Sequence, residues 1–146
     1  MILAIIIAGI IAGVVGLVGI QGTRSFVAAD ARSDLTNQGR LAIERMAREI
    51  RTIRSRADVT TMGAATLSFI DMNGTPIAFT SGGGVVTRNG TPLAAATAAT
   101  LSFTYLAPNG GPAGSTATLW SIQIDLAFTK GQERQAFRVR VHPRNF

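Results

Sequence analysis

MILAIIIAGIIAGVVGLVGI, Met1 to Ile20, carries no charged or strongly polar side chain, and the reading of the whole chain turns on the solvent this stretch occupies. As an α-helix it is about 30 Å long, the hydrocarbon thickness of a bilayer, so length and polarity alone make it a transmembrane candidate. A cleaved secretory signal is disfavoured: no basic residue precedes the apolar run, and Ala12, Gly13, Gly16 and Gly19 give only a vague cleavage pattern. A buried core helix is disfavoured too, because 146 residues make one domain of modest size and a helix apolar all round needs cover on every side. What remains is a helix in lipid, among copies of itself, or in each in turn.

The glycines bear on that choice. Gly9 and Gly13 form a G-x-x-x-G pair, and Gly16 and Gly19 continue the small residues, a pattern that lets helices approach closely. Glycines also weaken a helix, by roughly 1 kcal/mol each relative to alanine. The stretch from Gly13 to Gly19 is therefore where this helix is expected to unwind.

Composition narrows the classes. With no cysteine there is neither a disulfide framework nor a thiolate metal site, so the fold must stand on packing. The formal charge of +6 is uneven: zero over Met1 to Ile20, +4 over Gln21 to Arg56 and +2 over the rest. A basic middle segment can meet anionic lipid, nucleic acid or an acidic partner, but such segments are more often the solvated face of a helix.

From about Thr23 the pattern is amphipathic. Ala28, Ala31, Leu35, Gly39, Ala42, Met46, Ile50 and Ile53 recur at helical spacing, Ile43 widens the stripe, and Arg40, Glu44, Arg45, Arg48, Arg51 and Arg54 take other faces. Glu44 and Arg48 are placed for an i, i+4 ion pair. No proline interrupts Met1 to Arg56, which predicts a rod of roughly 80 Å. After Ala57 the period becomes two. Strands are expected at Thr66–Ile70, Pro76–Phe79, Val85–Arg88, Ala99–Leu106, Leu119–Phe128 and Ala136–Val141, with turns at Asn73-Gly74, Asn89-Gly90, Asn109-Gly110 and Lys130 to Glu133.

The expected class is α+β: a long N-terminal helix, its hydrophobic half protruding, with one antiparallel sheet of about five or six strands on its C-terminal half. Three segments result: 1–22 an apolar transmembrane or filament-core helix, 23–56 an amphipathic helix packed on the sheet, and 57–146 the sheet domain. The expected helix–sheet core is Leu35, Met46, Ile50 and Ile53 against Trp120, Ile122, Ile124, Leu126, Phe137 and Val139.

Met1-Ile2-Leu3-Ala4-Ile5-Ile6-Ile7, the helix Gly39-Arg40-Leu41-Ala42-Ile43-Glu44-Arg45-Met46-Ala47-Arg48-Glu49-Ile50-Arg51 and the ending Val141 to Phe146, VHPRNF, together carry a resemblance to type IV pilins and pseudopilins, nearest their minor-pilin and J-type branch. The resemblance places the start about five residues into the mature subunit, after the family's Phe-Thr-Leu and glutamate. A basic leader, later cleaved, would then set the orientation in place of the arginines after Gly22. It implies the pilin fold, and a structural subunit of a pilus-like extracellular filament, held in the inner membrane before assembly and then packed among copies of itself and other pilins. Ile2, Ile5, Ile6, Gly9, Ile10, Gly13, Val14 and Leu17 would pack in the filament core. Gly13, Gly16 and Gly19 would stand where the family's filament helix melts. The alternatives are a pseudopilin of a type II secretion system and a pilin for DNA uptake or surface adhesion, the last motivated by Arg138, Arg140 and Arg144 with the arginines of the helix.

Signs of enzymatic chemistry are few. His142, the one histidine, lies between Arg140 and Arg144 without an acidic or cysteine neighbour at ligand spacing, which favours a surface side chain. Asp71, Asn73 and Gly74 suggest a tight turn more than a calcium loop, since the other acidic positions are missing. Gly82-Gly83-Gly84 leads into valines rather than a helix, against a phosphate-cradling loop. Phe103, Tyr105 and Trp120 sit in alternating apolar strands and are expected in the core. Neither catalytic residues, a metal site nor a cofactor is assigned, and an enzyme is not expected.

Overall fold

The computed structural model describes the backbone of residues 2–93 and 98–146, with the side chains of Ile6, Gly9, Gly13 and residues 29–93 and 98–146. Helix α1 spans Ile2–Arg51. Eight strands follow: β1 Val59–Met62, β2 Thr66–Ile70, β3 Pro76–Gly82, β4 Val85–Arg88, β5 Thr91–Pro92, β6 Ala98–Leu106, β7 Ser121–Lys130 and β8 Glu133–Val141. Among the described residues no helix is long and apolar enough to cross a membrane. Most side chains of Met1 to Ile20 lie outside those described.

The expected α+β class, one antiparallel sheet on the C-terminal half of a long N-terminal helix, is overturned. The strands divide into two antiparallel sheets, β1-β2-β3-β4-β5 and β6-β7-β8, and the described molecule is mostly β. The continuous stretch of helix whose side chains are described runs from Ala29 to Arg51. Period-two alternation shows which face of a strand is apolar but not which strand it pairs with, so it cannot divide six apparent strands between sheets. Two strands also escaped the pattern. β1 is interrupted by a register shift between Val59 and Thr61, and β5 has only two residues.

Tight turns hold the first sheet together. Asn89 and Gly90 both have positive φ, 48° and 80°, the geometry of a type I′ hairpin turn. The Asn89 side chain then continues the pairing with β3, accepting from Ala78 N at 2.7 Å and donating to the Pro76 carbonyl at 3.1 Å. At the β2–β3 turn the Asp71 carboxylate accepts from the amides of Asn73 and Thr75 at 2.9 and 2.7 Å. That carboxylate serves an Asx turn.

Both sheets and one face of the helix share a core. Leu35, Met46, Ile50 and Ile53 of the chain's first half, Leu67, Phe69 and Phe79 of the first sheet, and Ile122, Ile124, Leu126 and Phe128 of β7 are buried, while Phe137 and Val139 pack against them half-buried. Trp120 is a correction to the expected core: it is 39% exposed. β7 begins at Ser121, two residues later than expected, and Leu119 is the side chain buried at that end, while the indole packs at a tilt against His142 with 4.2 Å between ring centroids.

Tyr105 ties β6 to the first sheet. Its hydroxyl lies 2.9 Å from the Gly63 carbonyl and 3.1 Å from that of Thr66, and burial pushes the phenol's pKa up. Tyr105→Phe leaves those carbonyls without this donor and is expected to lower the unfolding free energy by about 1 kcal/mol in urea titration, with the fold retained.

Candidate assembly surface

Helix α1 enters the core late. Among its described side chains, those from Ala29 to Asp34 are exposed or half-buried, and Leu35 is the first fully buried one. Just before Leu35 two ion pairs bind the helix to the β7–β8 turn: Lys130 Nζ lies 2.7 Å from Asp34 Oδ2, and Arg32 Nε lies 3.3 Å from Glu133 Oε2. The turn that presents them has Gly131 at φ 63°, which suits the first central position of a type II′ hairpin. The bond from Lys130, seconded by Gln38, holds the Asp34 carboxyl below its ordinary pKa, and the same bond raises that of Lys130. Exposed pairs of this kind contribute little energy, so they set direction more than stability.

The other end of the helix is closed by distant segments. The Arg51 carbonyl accepts from Arg144 N at 3.3 Å, that of Thr52 from Met72 N at 2.8 Å, and that of Ile53 from Asn145 Nδ2 at 3.1 Å. Helix ends leave several carbonyls unsatisfied, and here the C-terminal tail and the β2–β3 turn supply donors. Arg56 donates to the Leu119 carbonyl at 2.8 Å, and its guanidinium lies 5.3 Å from the centre of the Phe146 ring. The residues VHPRNF thus serve the fold, a role their one-dimensional pattern does not reveal.

Glu49 links helix and first sheet, meeting Arg88 Nε at 2.6 Å and Arg45 Nε at 3.1 Å. The i, i+4 pair on this face is therefore Arg45–Glu49; among the described residues Glu44 and Arg48 form no ion pair with each other. Just past the helix, Asp58 accepts from Arg54 at 2.7 and 3.0 Å and from Ser55 at 2.6 Å, which brings its pKa down to about 2. A depressed carboxylate stabilises the fold above the unfolded value and loses that contribution as pH falls. Urea midpoints are expected to drop between about pH 4 and pH 2, and Asp58→Asn to flatten that part of the profile.

The residues expected in a filament core fall mostly outside the described side chains: Ile2, Ile5, Ile10, Val14 and Leu17, and with them Gly16 and Gly19 of the expected melting region. The three that are described are open. Ile6 is 52% exposed, and a Cβ built on Gly9 or Gly13 meets nothing within 4 Å. Farther along, Leu41 is 70% exposed among Asn37, Arg40 and Glu44, on the face away from the sheets.

Elsewhere, His142 is exposed, and its Nδ1 lies 2.6 Å from the Trp120 carbonyl, so that nitrogen carries the proton. Among the described residues no three His, Cys, Asp or Glu side chains gather as metal ligands. The chain matches no protein-family model, no curated protein and no solved structure.

Proposed function

We propose that the chain is a structural subunit of a type IV pilus-like extracellular filament that polymerises through its N-terminal apolar segment. The observation that carries this reading is the openness of Ile6, Gly9 and Gly13 in a stretch without a charge from Met1 to Ile20. An apolar helix with small residues on an uncovered side calls for close neighbours of its own kind or lipid. Repeated head-to-tail contacts between such segments generate an open helical polymer rather than a closed ring when the rotation does not close. The resemblance of the N-terminal and Gly39–Arg51 sequences to pilins and pseudopilins points the same way. In this reading the segment rests in the inner membrane and then moves into the filament, and the two-sheet domain faces outward.

The test is to shear surface appendages from cells expressing the protein, image them and identify their subunit by mass spectrometry. The proposal expects this chain in thin filaments. Recovery solely as dispersed monomer, with no filament containing it, contradicts it.

A further inference from the structure

The outer face of the β6-β7-β8 sheet has a relief that follows from strand register. Thr100, Ala127 and Ala136 stand opposite one another, forming a row of small side chains that crosses all three strands. On one side the next outward row is Ser102, Asp125 and Arg138; on the other it ends in Thr129 and Arg134. Outward residues two apart on a strand are separated by about 6.6 Å, so Arg134 and Arg138 stand about 13 Å apart with the alanines between them. The result is an open cavity of about 500 Å³, within the size range of small-molecule sites.

Its polar groups are of mixed kind. Arg138 bonds to Asp125, which also accepts from Gln123 at 2.8 Å. Partial burial pushes the Asp125 carboxyl up, but those bonds outweigh it and hold the group ionised. Arg134 forms no ion pair among the described residues. Thr100 and Ser102 are exposed hydroxyl side chains. The trench therefore offers a carboxylate that accepts hydrogen bonds, hydroxyls that give and accept them, and a guanidinium with the charge to hold an anion.

We infer that this trench binds an acidic sugar residue of a glycan, its hydroxyls on Asp125 and Thr100 and its carboxylate on Arg134. A single-stranded nucleic acid fits less well. It wants aromatic stacking platforms beside the cations, and Phe137, the aromatic residue along this trench, turns its ring to Gly39 on the opposite face of the sheet. Trp120 lies just before the start of β7, packed at a tilt against His142. This inference does not depend on the filament reading.

The experiment titrates the full chain in detergent with a hexamer of galacturonate, with neutral maltohexaose and with hexathymidylate. The galacturonate hexamer is expected to bind at least tenfold more tightly than either comparator. Ala136→Leu, which fills the exposed floor, and Arg134→Gln are each expected to weaken it about tenfold with the unfolding midpoint unchanged. Hexathymidylate binding as well as the hexuronate would reduce the surface to general polyanion attraction, and equal binding of maltohexaose would remove the role of Arg134. Either result overturns the inference, as does undiminished hexuronate binding by both variants, or no binding at all.

Discussion

Gly9→Leu combined with Gly13→Leu is expected to abolish filament formation while leaving the individual chain folded and its helix strengthened. Within one chain neither position is crowded, since a Cβ at each finds nothing within 4 Å. Exchanging glycine for leucine in a helix gains roughly 0.5–1 kcal/mol per site. Between copies packed as proposed the same side chains would have no room, and overpacking would cost about 1–3 kcal/mol per site at every contact in the polymer. Monomer stability and assembly are thus expected to move in opposite directions, which damage to the fold would not produce. The measurement is the yield of sheared filaments beside the urea midpoint of the purified chain. Wild-type filament yield from the double variant would mean these glycines face no neighbouring helix.

The second large effect is expected at Gly39, in the part of the helix that does pack on the sheets. A Cβ there would lie 2.0 Å from Phe137 Cε2 and 2.4 Å from Cζ, so the ring lies directly against the helix backbone. Alanine normally stabilises a helix interior relative to glycine by up to about 1 kcal/mol. Here Gly39→Ala is expected to lose about 1–2 kcal/mol net, because the ring must move, and Gly39→Leu about 3 kcal/mol. Removing the ring should relieve the clash: in a Phe137→Ala background, Gly39→Leu is expected to cost at least 1 kcal/mol less than in the native chain. Equal costs in both backgrounds, measured by urea unfolding, would show that Phe137 is not the obstacle.

These two glycine sets show what could be read from the chain and what could not. The G-x-x-x-G pair is visible as spacing. The need for glycine at position 39 is not, because its cause lies in Phe137 on β8, far along the sequence. The same limit explains the sheets. β2 and β4 coincide with their alternating stretches, and Asn89-Gly90 and Lys130 to Glu133 make the expected turns, because local backbone chemistry decides such features. Which strand pairs with which is decided by packing, and there the single expected sheet gave way to two. Trp120 lies outside the core because the alternating stretch starts at Leu119, two residues before β7 itself. The C-terminal tail and the β2–β3 turn gave no sign in sequence of their closure of the helix end, since hydrogen bonds to carbonyls depend on the fold and not on residue pattern. The trench on the outer sheet was hidden for the same reason. Arg138 and Arg140 were visible as a basic cluster, but the row of small residues beside Arg138 exists only once three strands are in register.

A helical reconstruction of filaments sheared from expressing cells bears most directly on the central claim. Residues 1–20 of each subunit are expected to be surrounded by the same segment of neighbouring subunits at the filament axis, with the two-sheet domains outside. Filaments in which that segment is folded against its own sheets, or is absent from the axis, would contradict it.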